Sequence, residues 1–282
     1  MSALPALAPA TDRLSPHRFA KLSTLIFDQT GIKMPPTKVT MLQGRLQRRL
    51  RDTGMATLDE YCDHLFDGSA APEEMVNLIN AVTTNKTDFF REPGHFDFMT
   101  KTALPTLVDN GRRRIRAWSA ACSTGAEPYT MAMILDQFAE SGGPEYGILA
   151  TDIDTAVLET ARRGIYPADL VDPVPATLRQ RYVVNALDRK ANKVRIVPAL
   201  RSAIGFARLN LIDASYPVGE PMDIIFCRNV LIYFDKPTQE KVVQRLCDCL
   251  VPGGYLFLGH SESIAGMNLP VTTASYTVFR KV

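Results

Sequence analysis

The chain has 282 residues, 46% of them hydrophobic, and its 32 Lys and Arg against 30 Asp and Glu leave a formal charge of +2. That length admits one large domain or a small one joined to a larger, and the balanced signs exclude a protein that coats nucleic acid along its surface. Five cysteines, Cys62, Cys122, Cys227, Cys247 and Cys249, form no Cys-x-x-Cys pair, so neither a disulfide framework nor a metal site is expected and a reducing compartment suits the chain.

The opening MSALPALAPAT lacks the basic start and apolar length of a signal peptide, and no later run approaches the roughly 18 apolar residues of a membrane span. A cytoplasmic protein with a frayed first dozen residues is expected. From Ser15 to about Asn80 apolar residues recur at helical spacing, which predicts a small all-α domain over residues 1–80. Within it, KVTMLQGRLQRRLR puts Val39, Leu42, Leu46 and Leu50 on one stripe. Lys38, Arg45, Arg48, Arg49 and Arg51 spread over its edge and outer side. Such a charge run is either a solvated face or a dock for something acidic, and composition does not choose between them.

Residues 81–92 read as a linker and carry Asn85, Thr87 and Arg91 in the stretch TNKTDFFREP. From residue 93 to 282 the chain changes character. RRRIRAWSAA, EYGILATDID, PMDIIFCRNV and GGYLFLGHSE are short apolar runs separated by helical stretches near 128–140, 154–163 and 237–250. This alternation predicts an α/β domain with a mostly parallel sheet. Residues 178–209, with VRIVPAL and IGFARLN, read as a small antiparallel insertion. The final VTTASYTVFRKV reads as one more strand, antiparallel at the edge.

In an open α/β sheet the ligand sits beyond the carboxyl ends of the strands. After the first strand comes ACSTGAEPYT, whose turn has one glycine rather than the three of a dinucleotide fingerprint and places Glu127 where phosphates would be repelled and a cationic amino group welcomed. After the second, Asp152 of TDID is placed to accept from ribose hydroxyls, while Asp154 suits the N-cap of the next helix. Asn210, Arg228, Asn229 and Tyr233 follow later strands. A ribose-binding acid, a turn without phosphate glycines and polar strand ends point to S-adenosylmethionine.

TTNKTDFFREPGHF, WSAACSTGAEPYTMAM, ATDIDTAVLETARRGIY, IIFCRNVLIYFDKPTQ and GGYLFLGHSES, in this order, resemble the CheR family of chemotaxis receptor methyltransferases over most of the chain. The resemblance implies a Rossmann-like S-adenosylmethionine-dependent methyltransferase domain behind a small all-α domain, acting as a protein-glutamate O-methyltransferase on the cytoplasmic helices of chemoreceptors. It also implies that Asn85, Thr87, Arg91, Glu127, Asp152, Asn210, Leu211, Arg228 and Asn229 surround the cofactor. Arg91 and Tyr233 would lie nearest the transferred methyl, and Lys38, Arg45, Arg48, Arg49 and Arg51 would steer acidic receptor helices. Two departures stand out. Ala126 replaces the first of a Glu-Glu pair common in the family, and Asn185-Ala186-Leu187-Asp188 stands where some members grip a receptor tail with Arg-Gly-x-Gly, which speaks against a tail tether. A monomer is expected. A nucleic-acid methyltransferase would share fold and cofactor, but no Asn/Asp-Pro-Pro-aromatic motif for a flipped base is present, so no nucleic-acid partner is expected. A cofactor-sensing adaptor without activity is the non-enzymatic alternative. Cys122 and Cys227 at strand ends read as buried spectator thiols.

Overall fold

A computed structural model of the chain describes residues 13–188 and 192–282; the frayed start expected from the sequence lies outside them. The chain divides into two compact units, residues 1–84 and 85–282.

The first unit is helical: α1 (Pro16–Thr30), α2 (Val39–Thr53), α3 (Leu58–Phe66) and α4 (Pro72–Val82). Its boundaries follow local chemistry. Ser15 accepts from the Arg18 N–H at the start of α1, Thr57 accepts from the Glu60 N–H at the start of α3, and Gly31 and Gly54 take the left-handed conformation that ends α1 and α2. The stripe on α2 is buried at Leu42, Leu46 and Leu50, among Leu22, Ile26, Tyr61 and Leu78.

The second unit opens with α5 (Pro93–Phe98), a π-helical turn and α6 (Leu104–Asp109). Then come β1 (Arg114–Ala120), α7 (Ala126–Glu140), β2 (Glu145–Asp152), α8 (Thr155–Arg163), β3 (Ile165–Pro167), α9 (Ala176–Tyr182), β4 (Val183–Asn185) and β5 (Lys193–Ile196). α10 (Pro198–Ser202), β6 (Ile204–Arg208), β7 (Met222–Cys227), α11 (Lys236–Asp248), β8 (Leu250–Leu258), β9 (Val271–Ser275) and β10 (Val278–Lys281) complete it. Seven strands form one sheet in the order β6-β2-β1-β7-β8-β10-β9. β6, β2, β1, β7 and β8 run parallel, and the final hairpin pairs antiparallel to them through β10. Every residue of β7 is buried, as a central strand covered on both faces requires.

Three expectations need correction. The small antiparallel sheet, β3-β5-β4, begins at Ile165 and ends at Ile196, so it starts earlier and closes earlier than 178–209. Ile204–Arg208 leaves it and pairs in parallel with Ile148–Asp152; a five-residue amphipathic segment suits the edge of either sheet, and only pairing decides. The C-terminal segment is a hairpin rather than one strand: Tyr276 and Thr277 turn it, with Thr277 at φ 51, and β10 sits inside the sheet between β8 and β9.

Candidate cofactor site

β1 and β7 are neighbours, yet the chain leaves β1 toward β2 on one side and returns to β7 on the other. The crevice for a ligand therefore opens at their carboxyl ends. Strain gathers there. Ala121 (φ 70) and Ser123 (φ 51) follow β1, and Asn229 (φ 59) follows β7; non-glycine residues held left-handed persist where contacts over-determine them.

Asp152 ends β2 and is 7% exposed. One oxygen accepts from the Ser123 N–H at 2.8 Å and the other from the Asp154 N–H at 3.0 Å, which leaves half of its acceptor capacity. Burial pushes its carboxyl up to about 6 against those hydrogen bonds. Asp154 caps α8 through the Ala156 and Val157 N–H groups, as expected, and also accepts from Asn85 Nδ2 at 2.6 Å. The Asn85 carbonyl accepts from Ser123 Oγ at 2.8 Å, so Asn85, Ser123 and Asp152 form one edge of the site. Thr87 is half-buried in the same stretch.

Glu127, in the first turn of α7, accepts from Ser119 Oγ at 2.7 Å and from Arg228 Nη1 at 3.1 Å. Burial raises its carboxyl above the ordinary range even with Arg228 alongside. The Arg228 side chain, 2% exposed, lies between Glu127 and Glu92, whose Oε2 is 2.9 Å from Nη2. Its guanidinium also stands over the rings of Phe96 and Phe226, 5.5 and 5.7 Å from their centroids. Burial works to raise Glu92, but the hydrogen bond and charge of Arg228 outweigh it and hold the carboxyl near 2. Arg228 Nη2 donates to the Arg91 carbonyl as well, and the half-buried Arg91 side chain donates to the Lys86 carbonyl at 3.0 Å. Asn229 donates its backbone N–H to Glu262 and its amide Nδ2 to Glu92.

Asn210 makes a local turn, accepting from the Ile212 N–H through Oδ1 and from the Asp213 N–H through its carbonyl. Leu211 is buried, and its carbonyl accepts from Tyr216 OH at 2.6 Å. Tyr233 closes the short 3₁₀ turn after β7 and is half-buried. Cys122 and Cys227 are buried with thiols pushed far up by desolvation, consistent with spectators.

Sequence reading missed Glu92 and Glu262. Both look like loop charges in FREP and GHSES, yet Glu262 is 6% exposed and accepts from the N–H groups of Gly259, Asn229 and Leu231. The signal for Glu92 was its place beside Arg91, one residue before a proline.

In the helical unit the basic residues separate. Arg45 donates to the Val82 and Thr83 carbonyls and to Thr84 Oγ1, closing the end of α4. Arg49 forms a two-point pair with Glu74 at 3.0 and 2.7 Å, and the buried Tyr61 donates to the same carboxylate at 2.6 Å. Arg48 is 81% exposed and Arg51 is exposed. Lys38 forms the end of a short 3₁₀ turn before α2.

The donor set tests the expected ligand. At Ser123 the backbone N–H is already taken by Asp152, and at Gly125 by the Cys122 carbonyl. A Cβ on Gly125 would come within 2.9 Å of Ala161 Cβ and Tyr166 OH, so this glycine admits close packing of α8, not a phosphate. Glu92, Glu127 and Asp152 outnumber the buried Arg228. These groups fit ribose hydroxyls and a positively charged amino acid moiety, and they fit a pyrophosphate poorly.

Residues 85–279 match the family described as CheR methyltransferase, SAM binding domain, and residues 17–83 match CheR methyltransferase, all-alpha domain. Chemotaxis protein methyltransferase 2 of Pseudomonas aeruginosa is 39% identical over 261 residues, covering 93% of this chain and 91% of its own. The Chemotaxis protein methyltransferase of Escherichia coli is 39% identical over 278 residues, 97% and 94% of the two chains. That of Borreliella burgdorferi is 36% identical over 259 residues, 90% of each.

Proposed function

Since the chain belongs to the CheR methyltransferase family, an S-adenosylmethionine-dependent enzyme of chemotaxis, we propose that its acceptors are side-chain carboxylates of glutamates on the cytoplasmic helices of chemoreceptors. The observation that carries the reading is the set of charges withdrawn from solvent at the ends of β1, β2 and β7: the buried Asp152 and Arg228, and Glu127 paired with Arg228 and nearly covered. No helix among the described residues is long and apolar enough to cross a membrane, and we place the reaction in the cytoplasm, at the receptor's cytoplasmic end.

S-Adenosylmethionine, when bound, supplies a methyl group made electrophilic by the sulfonium. Asp152 would accept from the ribose hydroxyls. Glu127 would balance the amino group, with Asn85, Thr87, Asn210, Leu211, Arg228 and Asn229 completing the walls. A glutamate acceptor is ionised at neutral pH, so no general base is required. What remains for the chain is alignment and exclusion of water. Arg91 holds the acceptor carboxylate and Tyr233 orients it through its hydroxyl. Too tight a pairing with Arg91 would lower the nucleophilicity of the acceptor, which favours a guanidinium that is only half-buried.

Acidic receptor helices are attracted by cations that remain exposed. Arg48 and Arg51 meet that condition; Arg45 and Arg49 spend their donors within the helical unit. Recognition is assigned to the methylated helices; Asn185-Ala186-Leu187-Asp188, which begins on the last residue of β4, stands where some members carry Arg-Gly-x-Gly, and that departure speaks against a receptor-tail tether.

The test is methyl transfer from radiolabelled S-adenosylmethionine to receptor-containing membranes, followed by mild base. Base-labile label released as methanol from a receptor-sized band is the expected result. Base-stable label, or label on nucleic acid, overturns the carboxylate assignment.

A further inference from the structure

We propose that Glu92 is a positioning residue for methyl transfer, locking the Arg228–Asn229 dipeptide and the main chain of Arg91 into one rigid piece of the cofactor wall. The inference rests on the assignment of Arg91, Arg228 and Asn229 to that wall.

Three of the roughly four acceptor sites of the carboxylate are taken by the groups it holds. Oε2 accepts from Arg228 Nη2 at 2.9 Å, and Oε1 accepts from Asn229 Nδ2 at 3.1 Å and from the His260 N–H at 3.3 Å. Because a carboxylate only accepts, the Asn229 amide must present its nitrogen to Glu92, and Oδ1 is fixed on the side away from it. Arg228 Nη2 returns to the carbonyl of Arg91, the residue just before Glu92. Arg91 is thus flanked by Phe90 at φ 53 and Glu92 at φ 57, both left-handed. Such backbone is strained and lasts only where neighbours hold it. At Glu92 its own contacts are those neighbours, while the Phe90 N–H is held by Thr130 Oγ1 at 3.2 Å.

A second layer supports the carboxylate. His95 lies one turn along α5 with Nδ1 3.5 Å from Glu92 Oε2, while its Nε2 is 2.9 Å from Thr277 Oγ1 in the turn of the C-terminal hairpin. His95 is 2% exposed and packs edge-on against Phe257, at 5.7 Å between ring centroids. The buried Nδ1 has no hydrogen-bond partner within normal distance, and with burial and Arg228 pulling its imidazole down to about 4 the neutral ring backs Glu92 by packing rather than by charge or a tight bond.

Glu92, His95 and His260 bring metal-ligand atoms within 4.8 Å of one another. The Arg228 guanidinium already occupies the Glu92 oxygen that a cation would need, and a divalent ion there would face it directly. The cluster is organised as a hydrogen-bond hub.

The test uses the full chain and S-adenosylhomocysteine as the probe, measured by calorimetry, beside kcat and KM for S-adenosylmethionine on receptor membranes. E92Q turns an amide donor toward either Arg228 or Asn229, leaving one acceptor oxygen for the other. It is expected to lose about tenfold or more in S-adenosylhomocysteine affinity and to lower kcat at saturating cofactor, because Arg91 is no longer held. In a cycle with R228M, the double variant is expected to bind no more weakly than the weaker single variant. If E92Q does not fold, E92D, which keeps the charge but draws it back by one methylene, enters the same cycle.

E92Q binding like the wild type, or losses that multiply in the double variant, overturns the inference while leaving the wall intact. R228M and N229A both binding like the wild type would instead overturn the wall assignment and the inference with it. A role confined to stability predicts lower unfolding temperatures with unchanged affinity and kcat in the folded variants.

Discussion

Asp152→Asn should make the ligand-free protein more stable and the cofactor site nearly useless. Burial raises the Asp152 carboxyl from 3.8 to about 6, so at pH 7 its ionisation in the folded state costs about 3 kcal/mol, to order of magnitude. Asparagine cannot ionise and removes that cost. It also presents Nδ2 to one of the two backbone donors at Ser123 and Asp154, losing a hydrogen bond worth about 1–2 kcal/mol. The balance is a gain of about 1–2 kcal/mol at pH 7. Losing an ionised acceptor for two ribose hydroxyls should weaken S-adenosylhomocysteine about a hundredfold.

The sign of the pH effect follows from linkage. Between about pH 4 and 6 the folded protein holds the Asp152 proton more tightly than the unfolded chain, so this group lowers stability as pH rises. His95 acts the other way over the same window: burial first, then the charge of Arg228, pulls its imidazole down to about 4, so the folded state is penalised against the unfolded chain as pH falls from 6.5. The diagnostic quantity is therefore the difference between wild type and variant, in which His95 cancels. Urea unfolding at pH 7 and pH 5, with calorimetry of S-adenosylhomocysteine, measures it. An advantage for D152N that fails to shrink at pH 5, or wild-type affinity in the variant, would refute the reasoning.

Arg49→Ala should destabilise the helical unit by about 3 kcal/mol, because it strands the Glu74 carboxylate beside the buried Tyr61; denaturant unfolding followed by a probe in that unit reports it. Arg48→Glu should leave unfolding unchanged and slow receptor methylation about threefold at low ionic strength, with the difference fading as salt screens exposed charges over roughly 8 Å. Equal rates at low salt would count against steering by Arg48. His95 should show no imidazole titration by NMR between pH 5 and 8, and a midpoint inside that range would contradict its burial against Arg228.

The elements most legible in the sequence were those whose signal is local. Every residue of MDIIFC is apolar except Asp223, which reads as a buried central strand, and α8 announces itself through Asp154 before it and Gly164 after it. Pairing partners are not local. IGFARLN carries the same alternation whether it edges the small sheet or the large one, and nothing in SYTV resembles the Asn-Gly of a two-residue hairpin turn. The helical wheel placed Arg45 and Arg49 beside Arg48, but the wheel holds no record of the α4 carbonyls or of Glu74, which lie 37 and 25 positions along the chain. In the site, Asp152 and Glu127 were readable because strand ends and first helical turns are fixed by local pattern. Glu92 and Glu262 were not, because a charge in a polar loop looks solvated until the fold buries it.

The left-handed residues draw these strands together. Phe90, Glu92, Ala121, Ser123 and Asn229 all adopt φ between 51 and 70 without being glycine. Glycine would relieve the backbone at each position, yet at Ser123 it would remove the hydroxyl that holds Asn85, and at Asn229 the amide that holds Glu92. At Ser123 and Asn229 the strain is retained because the side chain has a partner across the site. Glu262 makes this possible from below by accepting from the N–H groups of Asn229 and Leu231, and Gly259 must be glycine there because a Cβ would come within 2.6 Å of Asn229 Nδ2 and 2.8 Å of its nitrogen. The conformation of Asn229 is thus set by two carboxylates, one on its backbone and one on its side chain. Methyl transfer to a carboxylate that is already ionised depends chiefly on alignment, so groups that hold the site still should affect turnover as well as binding.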